Sequence, residues 1–278
     1  MQDRPPLERV LDLVKDLRVR CAWDRSQTRE TLRPYLVEEV LELDHALREE
    51  DPDAIREELG DFLLHLAWQF VIAEERGETT PDDIADRIVR KMERRHPHLF
   101  NLGPREPWEQ LKRKEGRKGL LEGLPPTLPD LLMAYRLQER AASVGFDWPD
   151  VGGPLNKVRE ELAEVEEELS VGQDGHDALA DEIGDLLFAV VNVARKAGVQ
   201  PGPALDRTNA KFRRRFAEIE RMAAEKEIDM HTAGLEVLDG LWDEVKQREE
   251  EQKKREEEPR KRLTQSLFLL TLSQFLLT

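Results

Sequence analysis

At 278 residues the chain is long enough for one large domain or two ordinary ones, each able to bury a core. Charged residues make up 37% and aromatics 6%, a balance that suits long amphipathic helices and disfavours sheets. The net charge of -16 argues against general coating of DNA or RNA, and the single cysteine, Cys21, excludes a disulfide framework or a cysteine-rich zinc site. The expected compartment is a reducing cytoplasm, because the thiol is alone and Met1 to Val10 is charged, without the apolar core of a signal peptide.

Leu7, Val10, Leu11, Val14 and Leu17 recur at helical spacing behind Pro5 and Pro6, so a first helix is expected to end near Cys21. Ala22 to Thr28 reads as a polar loop, with Trp23 as an aromatic plug for the end of a bundle. From Thr31 to Glu49 the pattern is helical, with Pro34 in the first turn and an apolar stripe of Leu36, Val40, Leu43 and Leu47. Glu39 and Glu42 lie three residues apart on a neighbouring face. Asp51 and Pro52 read as the cap and first residue of another helix, which carries Glu58 and Asp61. So short a connection forces an antiparallel pair, and the two acidic pairs converge. Gly77 closes that helix. Thr80-Pro81-Asp82-Asp83 opens the next, which bears Lys91, Arg94 and Arg95 before His96-Pro97-His98.

Five prolines and four glycines between Asn101 and Asp130 mark a linker with one short helix at 107–114. The second half then replays the first. A helix over 131–142 leads to Gly145-Phe146-Asp147-Trp148 in place of the Trp23 loop. Pro154 opens a helix with Glu161 and Glu164, the helix over 177–196 carries Glu182 and Asp185, and Pro203 restarts the chain toward Lys211, Arg214 and Arg215. The offsets between copies are 122 for the first acidic pair, 124 for the second and 120 for the basic block, as small loop differences would produce. The expected domains are 1–104 and 131–248, joined by a Pro/Gly-rich linker over 105–130. Residues 249–278 form a charged and then apolar tail, in which the run from Lys246 to Arg262 reads as a solvated, fraying helix end. Leu263 to Thr278 contains nine Leu or Phe but falls short of the roughly 20 residues a bilayer span needs, so no membrane span is expected. That segment fits an interfacial strip, a partner-packing strip or an extension foreign to the fold.

One Glu-x-x-Glu means little in a chain this acidic. Two pairs on consecutive antiparallel helices, repeated with matched apolar neighbours, mean more. Four crowded carboxylates repel one another unless cations neutralise them, and all-oxygen donors favour Mg²⁺, with Mn²⁺ as substitute, over Zn²⁺. Gly60 and Gly184 each precede the Asp of the second pair, inside a helix where glycine costs about 1 kcal/mol relative to alanine. Close helix approach, room for a ligand and a tolerated defect are the three explanations. Lys211, Arg214 and Arg215 supply the positive charge a phosphate would need. The set fits metal-assisted hydrolysis of a phosphoanhydride, with Glu160 or Glu161 accepting a proton from water. Two other readings stay open: a di-iron oxidase built on the Glu-x-x-His of Glu42 and His45 together with His65, and a non-catalytic helical interaction protein.

Cys-Ala-Trp-Asp-Arg-Ser-Gln-Thr, Glu-Glu-Val-Leu-Glu, Glu-Glu-Leu-Gly-Asp and Arg-Arg-His-Pro-His-Leu-Phe come first in chain order. They are followed by Val-Gly-Phe-Asp-Trp, Glu-Glu-Leu-Ala-Glu, Asp-Glu-Ile-Gly-Asp and Asn-Ala-Lys-Phe-Arg-Arg-Arg-Phe. This series resembles the tandem MazG-type nucleoside triphosphate pyrophosphohydrolases over roughly residues 5 to 247. The resemblance implies an all-α fold of two tandem helical bundles and a homodimer. It also implies Mg²⁺-dependent cleavage of nucleoside triphosphates, noncanonical ones among them, between the α- and β-phosphates. By position it implies a metal at Glu161, Glu164, Glu182 and Asp185, and a second quartet at Glu39, Glu42, Glu58 and Asp61. Lys157, Lys211 and Arg215 would face phosphates, Trp242 and Lys246 would lie near the nucleotide, and Lys91 and Arg95 match the basic block in the first copy. In such tandem proteins the later copy is regarded as the main catalyst. Ala22 stands where the family has proline and His65 where glutamine is common.

Overall fold

A computed structural model describes residues 5–106, 111, 119–171 and 176–275, with the side chains of the last helix described as far as residue 255. Among the described residues every regular element is a helix, and the chain divides into two compact units, Met1–Gly116 and Arg117–Thr278.

Unit 1 contains α1 (Pro6–Arg20), α2 (Ala22–Ser26), α3 (Arg29–Glu49), α4 (Pro52–Glu75) and α5 (Pro81–Arg95). Ala22 to Ser26, expected as loop, is a single helical turn. Hydrogen bonds from Arg18 to the carbonyl oxygens of Asp24 (2.8 Å) and Gln27 (3.2 Å) tie that turn to α1. The start of α3 is set by Thr28, not Thr31. The Thr28 hydroxyl accepts from the Thr31 backbone N–H at 3.3 Å while the Thr31 hydroxyl accepts from the Thr28 N–H at 2.9 Å. Pro34 therefore lies inside the helix, past its first turn. Glu50, in the left-handed region at φ 55, ends α3, and Asp51 caps α4 by accepting from the Asp53 N–H at 3.0 Å. Two residues thus reverse the chain, and α4 packs back along α3. At α5 the Thr80–Asp83 capping box forms as the sequence predicts.

The core of unit 1 joins Val14 of α1, Leu32 of α3 and Ala67, Trp68, Val71 and Ile72 of α4. Each of the fully buried large side chains contributes roughly 1.5–3 kcal/mol. The expected stripe on α3 is only partly covered: Leu36 and Leu43 are half-buried, whereas Val40 and Leu47 are exposed and Ala46 is buried instead.

Unit 2 contains α6 (Asp130–Ala142), α7 (Gly152–Val171), α8 (His176–Lys196), α9 (Pro201–Glu225) and α10 (Gly234–Phe275). α7 packs along α8, α6 crosses α8, and α9 packs on α10. The α9–α10 core is Ile219, Met222, Ala223, Leu241 and Val245. Buried Gln138 of α6 donates from Nε2 to the Phe188 carbonyl at 2.8 Å, fixing α6 against the middle of α8. The Trp148 ring lies on Gly153, where an added Cβ would sit 2.1 Å from the indole, so the entry to α7 requires glycine. The charged run after Lys246 continues as helix to Phe275. The expected short helix at 107–114 falls outside the described residues, apart from Leu111.

Candidate metal and phosphate site

The two-residue turn between α3 and α4 places Glu39, Glu42 and Glu58 so that one carboxylate oxygen from each lies within 4.8 Å of the others. Asp61 stands beside them. The Glu39 carboxyl is pushed above its ordinary range first by burial and then by the charges of Asp61, Glu42 and Glu58. Burial and the charges of Glu42 and Asp61 push Glu58 the same way. An open groove of about 820 Å³ between α3 and α4, lined by Val37, Leu41, Glu42, His45 and Glu58 among others, reaches this acidic cluster.

The second copy repeats the arrangement on α7 and α8. Glu161, Glu182 and Asp185 bring one carboxylate oxygen each to within 4.8 Å of one another. Glu164 adjoins them and is pushed above its ordinary range by burial, by a hydrogen bond with Glu161, and by the charges of Glu161 and Glu182. Like-charged oxygens held this close favour occupation by a cation, and a set made only of carboxylates suits Mg²⁺ or Mn²⁺. Neither glycine before the second Asp is a close-approach site: a Cβ at Gly60 or Gly184 would meet nothing within 4 Å. Helix crowding therefore does not explain these glycines.

The basic residues fall into two places. Lys157, one helical turn before Glu161, bonds the Glu161 carboxylate closely and that of Glu160 at 2.9 Å. Those two partners, Glu161 first, hold its ammonium above the usual lysine range. Glu160 points outward with that lysine, and its carboxylate is not among the clustered oxygens of Glu161, Glu182 and Asp185. Arg214, Arg215, Trp242 and Lys246 gather instead where α9 meets α10. The Arg215 guanidinium lies 5.5 Å from the Trp242 ring centroid and bonds Glu249 at 2.8 Å, while Arg214 reaches the same carboxylate at 3.3 Å. The two arginines, Arg215 first, hold Glu249 below the ordinary carboxylate range. Phe212 packs on Trp242 with centroids 5.4 Å apart, and Lys246 pairs with Asp243 at 2.7 Å. Lys211 is exposed on α9. In unit 1, Lys91 and Arg95 lie near the end of α5, which packs against α4.

Three contacts were not read from the sequence. Glu249 is the partner of both arginines, yet it belongs to a run of acids in which no single position stands out. Lys157 pairs with Glu161, an i,i+4 spacing that is legible in the sequence. His65 is buried beside Glu39, with Nε2 3.5 Å from a Glu39 oxygen, and burial lowers the pKa of its imidazole. It lies edge-on to Trp68 and stacks on Tyr35, with centroids 5.2 and 6.4 Å apart. Trp23 reaches Trp68 at 5.9 Å but stays half exposed, so it covers the core edge without plugging it. The di-iron reading lacks support in the site: His45 is exposed, and the second copy has Glu167 and buried Ala189 where His45 and His65 would have to recur.

The two tandem helical units, each presenting clustered carboxylates from an antiparallel helix pair, define an all-α protein built from a duplicated helical bundle. The MazG nucleotide pyrophosphohydrolase domain matches this chain twice, over residues 27–100 and 154–219. The chain is 38% identical over 257 residues to the nucleoside triphosphate pyrophosphohydrolase of Escherichia coli strain K12, an alignment that covers 87% of this chain and 98% of that protein. It is 40% identical over 236 residues to the nucleoside triphosphate pyrophosphohydrolase/pyrophosphatase MazG of Thermotoga maritima, covering 83% of this chain and 91% of the relative. Against the Bacillus subtilis protein YabN identity is 44% over 239 residues, covering 82% of this chain and 49% of the relative. The chain belongs to the MazG nucleotide pyrophosphohydrolase family, and its class of activity is hydrolysis.

Proposed function

We propose that the protein hydrolyses nucleoside triphosphates, noncanonical ones among them, between the α- and β-phosphates in a Mg²⁺-dependent reaction centred on unit 2. The observation that carries this reading is the convergence of Glu161, Glu182 and Asp185, with Glu164 beside them. These four would hold Mg²⁺, or Mn²⁺ in its place, which when bound polarises the phosphoanhydride and offsets the triphosphate charge. Water adds to the α-phosphorus, the bond to the bridging oxygen breaks, and pyrophosphate leaves with that oxygen. Glu161, whose carboxylate lies in the cluster, accepts the proton of the attacking water, and the outward-facing Glu160 does not. Lys157 stabilises phosphate charge from beside the quartet, and Lys211 and Arg215, with Arg214, do so from α9, by charge-assisted hydrogen bonds. Trp242 offers a face for the nucleoside, and Lys246 lies one turn further along α10.

Exposed apolar side chains on α7 and α8, among them Leu162, Leu169, Leu187 and Val190, support a homodimer in which a second copy covers them. The cytoplasm is the compartment that fits nucleotide substrates and an unpaired Cys21. No helix among the described residues is long and apolar enough to cross a membrane.

The experiment is a panel of nucleoside triphosphates with Mg²⁺ and identification of the released phosphate. Pyrophosphate is the expected product, lost with Glu161→Ala or Asp185→Ala while helicity by circular dichroism is retained. Orthophosphate as the product, or undiminished turnover in both variants with the unit 1 quartet also removed, would overturn the proposal.

A further inference from the structure

Lys157 and Tyr35 occupy equivalent places in the two copies, 122 residues apart and four residues before the first acid of each quartet. In unit 2 the Lys157 ammonium bonds Glu161, whose residue exposure is 3%, and Glu161 is also a member of the converging carboxylates. A buried carboxylate is costly without a counter-charge, and Lys157 supplies one on the very group that a divalent ion would use. In unit 1 Tyr35 brings no charge, and the nearest partner of Glu39 is the imidazole of His65 at 3.5 Å. The Lys157 side chain is 39% exposed, so it can leave Glu161 without unpacking α7. Its ammonium is a compact charge on a flexible stem, able to exchange one anionic partner for another.

We propose that Lys157 is an exchangeable counter-ion: it holds Glu161 while no divalent ion is bound and passes to the triphosphate when one binds, so that metal and nucleotide fill unit 2 cooperatively. The inference rests on the metal-dependent reading above and adds an order of events to it. Cooperativity of this kind is reciprocal: the factor by which nucleotide tightens metal equals the factor by which metal tightens nucleotide.

The test uses the full chain carrying Glu39→Gln and Glu58→Gln, which leaves the unit 2 quartet intact. Mn²⁺ binding is followed by electron paramagnetic resonance, with and without an α,β-methylene nucleoside triphosphate that resists cleavage. In this parent the nucleotide is expected to tighten Mn²⁺ binding at least roughly tenfold. With Lys157→Met added, Mn²⁺ alone binds roughly tenfold tighter than in the parent, and most of the nucleotide's effect is gone. Lys157→Arg keeps the charge and stays near the parent, and circular dichroism checks that both variants fold. Unchanged Mn²⁺ affinity of Lys157→Met without nucleotide, or an undiminished nucleotide effect, overturns the proposal while the metal reading stands. Mn²⁺ binding that Asp185→Asn leaves untouched sinks the metal reading itself, and the inference with it.

Discussion

The two acidic clusters share their spacing and differ in what stands beside them. In unit 1, the partner of Glu39 outside the acidic cluster is buried His65, which lies against Tyr35 and Trp68, and among the described residues no cation pairs with Glu39 there. In unit 2 the same positions hold Lys157, Ala189 and Asn192, and Glu161 is ion-paired. Duplication therefore preserved the carboxylates while the counter-charge beside the first acid diverged. The sharpest way to break this contrast is to remove an acid from each side. Glu182→Gln is expected to lower pyrophosphate release at least a hundredfold or so, since even changes to the groups that merely support metal ligands cost roughly 10–100-fold. Glu58→Gln leaves the rate close to that of the parent. Equal losses in the two variants would show that the difference in surroundings does not decide where turnover occurs.

A second change moves the counter-charge. Tyr35→Lys places an ammonium four residues before Glu39, as Lys157 stands before Glu161. With the unit 2 quartet disabled by Glu182→Gln and Asp185→Asn, Mn²⁺ binding to unit 1 is expected to weaken roughly tenfold. Tyr35 is half exposed, so the substitution leaves the core of α1, α3 and α4 in place. Unchanged Mn²⁺ affinity would mean that the neighbour of the first acid does not control occupancy.

The acids were legible because their signal is a period: Glu39 to Glu42 and Glu58 to Asp61 each share a helix face, and the Asp51 cap forces the two helices together. The recurrence after 122 and 124 residues separates them from the many solvated acids of the chain. What escaped is what depends on which partner a flexible charge selects. Lys157 has acids at three and four residues' distance on its own helix and bonds both, so its sequence neighbours do not say whether it serves phosphate or carboxylate. The stripe of Leu36, Val40, Leu43 and Leu47 is periodic, yet periodicity marks an apolar face without saying what covers it, and half of this one stays open. Thr28 and Thr31 are each acceptable caps in isolation. The reciprocal hydrogen bonds that select Thr28 require coordinates.

The smallest expected effect concerns how each unit fastens the segment ahead of its first acidic helix. In unit 1, Arg18 does so through the carbonyl oxygens of Asp24 and Gln27, and its guanidinium also bonds the Glu75 carboxylate at 2.7 Å. In unit 2 the work falls to Asp147, which accepts from Arg195 at 2.5 Å and from Lys196 at 3.0 Å and so ties the Trp148 loop to the end of α8. Arg195 first, and Lys196 with it, hold the Asp147 carboxyl down to about 2 against the opposing effect of burial. The folded value is below the unfolded one of about 3.9, so the stabilisation is complete above that pH and is lost as pH falls through about 2. The Asp147 side chain keeps 21% of its exposure, and solvent screening brings the expected contribution down to about 1 kcal/mol. Asp147→Asn should therefore lower the thermal midpoint of unit 2 at pH 7, with the gap from the parent closing between pH 4 and 2. A deficit for Asp147→Asn that is the same at pH 3 as at pH 7 would show that the loop is held by the packing of Trp148 on Gly153 and not by charge.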